Sequence, residues 1–267
     1  MIELIQITND PAFARRCDAL EGMRLFVDLE RQGKAARQAG RSTFISTHQI
    51  EDIAKIRSQL RRSRLMVRLN PLNPGTRDEV QAVLDAGADL LMLPMFSCGA
   101  ELEQFMEAVD GRAPVSALLE TAGALDTIES WIATPGLSEV FLGLNDLHLS
   151  LRQRFMFESL AEGIVERVAT AVRGHGIQFG FGGIARLDEG ELPGRDVLAE
   201  HLRLGSHSVI LSRTFHRNDS RFEDEVAALR TAEAQLGLRS RQQMEADAAR
   251  IAATIGRIVC AVAASAG

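Results

Sequence analysis

Short, nearly continuous apolar runs recur along the chain, and between them apolar residues return at helical spacing. The runs are IELIQIT (2–8), MRLFVDL (23–29), RLMVRL (64–69), DLLMLP (89–94), VSALLE (115–120), EVFLGL (139–144), IQFGFG (177–182) and SVILS (208–212). A run that does not alternate with polar residues suits a strand buried on both faces, as in a parallel sheet covered by helices. In the gaps, TRDEVQAVLDAG (76–87) sets Val80, Val83 and Leu84 on one face, offers Thr76 as N-cap and closes on Gly87. DVLAEHLRLG (196–205) repeats the scheme. Eight strand–helix repeats predict an α/β fold, a (β/α)8 TIM barrel with a helical C-terminal extension; a doubly wound open sheet is the alternative.

Two segments exceed a minimal barrel. Residues 31–48, RQGKAARQAGRSTFISTH, make a long second-to-third-strand connection, and such loops usually carry function, which places this one at the active-site mouth. In the tail, Met244, Ala248, Ile251, Ile255, Ile258 and Val262 fall at helical spacing and form an apolar stripe that needs a partner. The expected organisation is a barrel domain over residues 1–219 and a helical extension over residues 220–267.

Composition narrows the function. An apolar fraction of 46% and a charged fraction of 25% describe an ordinary globular protein with a full core. A net charge of −6 argues against a nucleic-acid-binding surface. The one basic cluster, RSQLRRSR (57–64), reads as the solvated end of a helix. Cys17, Cys98 and Cys260 are too few and too scattered for a disulfide framework or a zinc site. The opening MIELIQITNDPAF lacks the basic start and long apolar centre of a signal peptide, and no run approaches the ~18–20 apolar residues of a membrane span. A soluble, cytoplasmic protein is expected, with neither nucleic acid nor membrane as partner.

In a barrel of this kind reactive groups stand at the C-terminal ends of strands. Those positions hold Asp28 and Glu30, then Arg68 and Asn70, then Glu120 and Thr121, then Asn145 and Asp146. Glu120 and Asp146 close consecutive strands, which lie about 4.8 Å apart in a parallel sheet. Two carboxylates aimed at one point repel unless a cation sits between them, and Mg2+ accepts one or two carboxylates while leaving places for water and substrate oxygens. Arg68, at the end of an apolar strand, needs an anion to offset its burial, and its planar fork suits a carboxylate. A metal facing an arginine describes a receptor for a 2-oxo acid. Each residue has a plainer reading: Glu120 or Asp146 as a helix cap, Arg68 as an ordinary ion pair. Asp28 and Glu30 would orient Arg68 or the waters of the metal. GFGGIA (180–185) matches a dinucleotide pattern but sits at the seventh strand; Gly182 is read instead as letting backbone approach a ligand such as a phosphate.

The motifs MVRLNPLN, DAGADLLMLPMF, LLETAGAL and VFLGLNDLHLSL, with FVDLE before them, resemble in order and spacing those of the HpcH/HpaI aldolase/citrate lyase family, over about residues 23–215. The resemblance implies that Glu120 and Asp146 are metal ligands for Mg2+ or Mn2+ and that Arg68 binds substrate. It also implies that backbone N–H groups near Asn145 and Asp146 receive the substrate carboxylate. Where family aldolases carry a catalytic histidine this chain has Arg31, and Leu144 stands where proline is common. His48, at the far end of the same loop, is the alternative proton carrier, together with metal-bound water. Lys34 and Arg37 are read as solvated charges or as holders of an anionic substrate tail.

The activity implied is that of a metal-dependent class II aldolase or lyase acting on a 4-hydroxy-2-oxo acid, through a pyruvate-type enolate and with an aldehyde as second product. The alternatives are a malyl-CoA or citramalyl-CoA type lyase acting on a CoA thioester, and a non-catalytic oxo-acid-binding protein. Relatives exchange a C-terminal helix between subunits, so a homo-oligomer, dimer to hexamer, is expected.

Overall fold

The computed structural model describes residues 1–33, 46–216 and 219–265. Its strands are β1 (Glu3–Ile7), β2 (Met23–Asp28), β3 (Arg64–Arg68), β4 (Leu90–Leu93), β5 (Val115–Leu119), β6 (Leu137–Leu142), β7 (Gln178–Ile184) and β8 (Ser208–Leu211). They are hydrogen-bonded in chain order as a closed barrel, which decides for the (β/α)8 fold over the open sheet. The defined registers are parallel and set Asp28 opposite Arg68 across β2 and β3. The absence of alternation has the expected cause: every residue of β2, β4 and β5 is buried.

Helices α1 (Pro11–Asp18), α2 (Ile50–Arg57), α3 (Thr76–Asp85), α4 (Gly99–Val109), α5 (Ala122–Asp126) and α6 (Ile128–Trp131) lie between β1 and β6. Then come α7 (Leu144–Ser150), α8 (Glu158–Ala161), α9 (Ile164–Gly174), α10 (Gly194–Leu204), α11 (Phe222–Leu236) and α12 (Arg241–Ser265). One expected cap is corrected: Thr76 is the first residue inside α3, and Gly75 holds the cap position. Thr76 Oγ1 accepts the Asn73 N–H while Asn73 Oδ1 accepts the Gly75 N–H, so an asparagine turn fixes the entry to the helix. Among the described residues no helix is long and apolar enough to cross a membrane.

The chain forms two compact units, residues 4–141 and residues 1–3 with 142–267. In the first, Arg24 and Glu139 are both about 1% exposed inside the core, and Arg24 Nη1 donates to Glu139 Oε2 at 2.7 Å. In the second, α12 packs on α8 and α10. Ile251 and Ile255 supply the buried middle of its apolar stripe, and Met244, Ala248, Ile258 and Val262 are half-buried. The Arg250 guanidinium grips Asp196 of α10 at 2.7 and 3.0 Å.

The second unit also buries His201 completely, stacked on Phe181 at 3.8 Å with Nδ1 2.9 Å from Ser206 Oγ. Burial pushes its pKa down to about 3, so the folded protein keeps the ring neutral while the unfolded chain protonates it from 6.5 downward. Stability is therefore lost as pH falls between those limits, at up to about 1.4 kcal/mol per pH unit. Urea midpoints at pH 7 and pH 5 are expected to differ more in the wild type than in His201→Leu; equal differences would show that His201 does not carry the acid sensitivity.

Candidate active site

The register of β2 and β3 brings Asp28 and Arg68 side by side at the C-terminal ends of their strands. Arg68 Nε–H and Nη2–H donate to the two oxygens of Asp28 at 2.9 and 2.8 Å, and Nη1 lies 3.3 Å from Glu30 Oε2. Phe26, two residues before Asp28 and on the same face, lies beneath the guanidinium with 5.7 Å between Arg68 Cζ and the ring centre. The side chains of Arg68, Asp28 and Glu30 are 14%, 6% and 1% exposed. Burial works against the Arg68 charge, but Asp28, then Glu30 and Glu120, outweigh it and raise its pKa. The fork that suits a carboxylate is thus occupied by Asp28, and the Nη1 end of the guanidinium lies against Glu30.

Glu120 follows β5 and is 2% exposed. It is not a helix cap: Thr121 takes that role, its Oγ1 accepting the Ala124 N–H at 3.1 Å and its hydroxyl donating to the Phe96 carbonyl. Glu120 Oε1 instead accepts the Met95 N–H at 3.1 Å. Met95 holds a φ of +58°, a left-handed conformation that costs a non-glycine residue about 1–2 kcal/mol. The strained turn after β4 aims this N–H at the carboxylate. Nothing in the side chain of a methionine announces that use of its backbone, and sequence reasoning passed over it.

Asn70, after β3, is committed to the protein. Its Oδ1 accepts the N–H groups of Arg31 and Gln32, and its Nδ2 donates to Glu79 Oε1 at 2.8 Å. It ties the start of the β2 loop to the first turn of α3. Burial raises the Glu79 pKa, against the lowering by its Asn70 bonds.

His48 returns from that loop to β2. Its Nδ1 accepts the Asp28 N–H at 3.1 Å, its own N–H donates to Ser46 Oγ, and its carbonyl accepts from Arg31 Nη2 at 2.7 Å. Arg31 and His48, seventeen positions apart, are therefore in contact. Lys34 and Arg37 lie outside the described residues.

Asn145 and Asp146 belong to the second unit. They do not close β6, which ends at Leu142, but stand in the first turn of α7, Asn145 exposed and Asp146 half-buried. Gly143 occupies the cap position, so Asp146 is not the N-cap. Gly182 has a φ of +54° at an irregularity in the β7–β8 pairing, and a Cβ there would come within 3.0 Å of Leu144 Cδ1. The room left by this glycine is filled by Leu144.

In the first unit three buried carboxylates, Asp28, Glu30 and Glu120, surround one guanidinium, a charge balance that favours a further cation. Among the described residues no group of three or more His, Cys, Asp or Glu side chains forms a metal-binding set. A hard divalent ion fits such a place, since Mg2+ needs only one or two carboxylates and completes its shell with water and substrate oxygens.

A family model described as HpcH/HpaI aldolase/citrate lyase matches residues 8–186. No curated protein matches the sequence. Among solved structures, the HpcH/HpaI aldolase from Desulfitobacterium hafniense DCB-2 aligns with a TM-score of 0.61 at 15% identity, covering 84% of this chain and 92% of its own. The citrate synthase SbnG aligns with a TM-score of 0.60 at 17% identity, over 88% of this chain and 94% of its own. A citrate lyase from Burkholderia xenovorans LB400 aligns with a TM-score of 0.61 at 13% identity, over 95% and 92%. At these identities the likeness establishes the fold.

Proposed function

The chain belongs to the HpcH/HpaI aldolase/citrate lyase family and is a carbon–carbon lyase, and from that premise we propose that it is a divalent-metal-dependent aldolase of 4-hydroxy-2-oxo acids. The observation that carries this reading is the buried cluster of Arg68 with Asp28, Glu30 and Glu120 at the C-terminal ends of β2, β3 and β5. Glu120 and Asp146 are the residues assigned to hold Mg2+ or Mn2+. When bound, the ion would supply Lewis-acid polarisation of the oxo-acid oxygens.

The chain's own part follows from Arg68. Asp28 fixes the guanidinium through two hydrogen bonds, so its remaining N–H groups are held in place before substrate arrives. In cleavage the C4 hydroxyl gives its proton to a water molecule in the site, the C3–C4 bond breaks and an aldehyde leaves. The bonding pair passes to the enolate of pyruvate, whose growing oxyanion Arg68 stabilises. Asn145 is assigned to the substrate carboxylate. The half-buried outer positions of α12 are assigned to contact with a second copy of the chain, and the protein acts in the cytoplasm.

The test is a screen of pyruvate with assorted aldehydes in Mg2+ or Mn2+, read by mass spectrometry for 4-hydroxy-2-oxo acids. Product is expected with the metal, and its formation should fall at least about 100-fold in EDTA and recover on adding the ion back. Turnover that survives the chelator would remove the metal from the proposal; absence of product with every acceptor would remove the aldolase.

A further inference from the structure

Past Asp28 the pairing of β2 with β3 continues, but its acceptor changes. The Leu29 N–H still donates to the Arg68 carbonyl at 2.9 Å, as a parallel ladder requires. Two residues on, where the next rung would use a main-chain carbonyl, the Arg31 N–H goes to the side-chain Oδ1 of Asn70 at 2.9 Å, and the Gln32 N–H joins it at 3.1 Å. One amide oxygen thus holds the chain beyond the end of its strand.

The orientation of that amide is determined. Main-chain N–H groups only donate, so Oδ1 must face them; Nδ2 then faces Glu79, whose Oε1 accepts it at 2.8 Å and the Asn70 N–H at 3.2 Å. Between the two rungs stands Glu30. Its N–H donates to Asp28 Oδ1 at 3.1 Å, the same oxygen that accepts Arg68 Nε–H at 2.9 Å, and its Oε2 lies 3.3 Å from Arg68 Nη1. A shift of residues 30–32 is therefore felt at both Nε and Nη1 of the guanidinium. Arg31 extends the frame, its side chain donating to the His48 carbonyl at 2.7 Å.

We infer that Asn70, oriented by Glu79, is a positioning residue of the reaction site, acting through the backbone of Arg31 and Gln32 to hold Glu30 against Arg68. The positioning stands on these contacts alone; its effect on turnover rests on the aldolase reading above. The pair can also be exchanged end for end. In Asn70→Asp one oxygen keeps the two N–H groups, but the other replaces an NH2 and meets Glu79 Oε1 acceptor to acceptor. Adding Glu79→Gln returns a donor to the same hydrogen bond from the opposite side.

In the full chain, Asn70→Asp should speed amide exchange at Arg31 and Gln32 by about 10-fold or more. It should also move the 1H–15N signal of Arg68 Nε–H, identified by its loss in Arg68→Lys. For pyruvate–aldehyde addition kcat should fall about 10–100-fold while KM changes little. The double variant Asn70→Asp/Glu79→Gln should return exchange, signal and kcat to within about threefold of the wild type. If Asn70→Asp alone does not fold, a folded double variant with the wild-type Arg68 signal is the supporting result. Faster exchange with an unmoved Arg68 signal would mean that Asn70 holds the loop and not the site. A double variant no better than the single one, or itself unable to fold, would mean that the Asn70–Glu79 bond does not set the arrangement; each overturns the inference. A wild type without turnover would remove the aldolase reading and leave exchange and the Arg68 signal to decide the positioning.

Discussion

Replacing Arg68 with alanine is expected to reduce turnover by about 10²–10³-fold or more and to lower folding stability by about 3–5 kcal/mol. Both effects come from one place. The guanidinium is held by Asp28 at 2.9 and 2.8 Å and approached by Glu30 at 3.3 Å, all three side chains being largely out of water. Its removal leaves buried carboxylates facing one another without their cation, and that desolvation penalty is what makes breaking a buried pair so much costlier than its net worth. In the proposed reaction the enolate loses its stabilising donor at the same time. Arg68→Lys separates the two losses: a lysine restores a charge but cannot bond both Asp28 oxygens in parallel, so stability should recover by more than activity does. Urea unfolding and steady-state kinetics on the two variants give the comparison. An Arg68→Ala protein as stable as the wild type would show that the carboxylates are neutral or solvated without the arginine. A Lys variant of full activity would show that the fork is not needed.

The barrel was legible because its strands are buried on both faces, and unbroken apolar runs such as LFV and LLML show this directly. Asp28, Glu30, Arg68 and Glu120 were legible as strand-end groups for the same reason: a polar residue closing an apolar strand stands out. Their mutual arrangement was not. That Asp28 fills the Arg68 fork follows from the register of β2 on β3, which a single sequence does not encode locally. The cap of α5 was assigned among alternatives to Glu120 when the neighbouring Thr121 carries it, because both residue types suit a helix start. Thr76 and Asp146 were offered as caps on residue type alone, and in each case a glycine one to three positions earlier takes the place. Met95 and Arg31 were hidden more deeply, since one acts through a strained backbone and the other through a contact between residues seventeen positions apart.

Arg24 was hidden too, inside a run read simply as a strand, and it yields the second large effect. Arg24→Met is expected to cost about 3–5 kcal/mol, because Glu139, about 1% exposed, is left as a carboxylate without the guanidinium that donates to it at 2.7 Å. Glu139→Leu should cost a similar amount by taking its carboxylate from a guanidinium about 1% exposed, whose Nη1 also lies 3.6 Å from Met66 Sδ. Combining the two changes the sign of the argument. An apolar pair of similar volume carries no desolvation penalty, so the double variant should be no worse than either single one and is expected to recover most of the lost stability. A double-mutant cycle from urea unfolding at pH 7 then yields a coupling energy of several kcal/mol. The pair lies far along β2 from Asp28, with Arg24 paired to Ile5 and Asp28 to Arg68, so the double variant should also keep its substrate site intact. If the two single costs simply add, the guanidinium and the carboxylate are each satisfied by other groups, and the ion pair is a neighbour relation without energetic coupling.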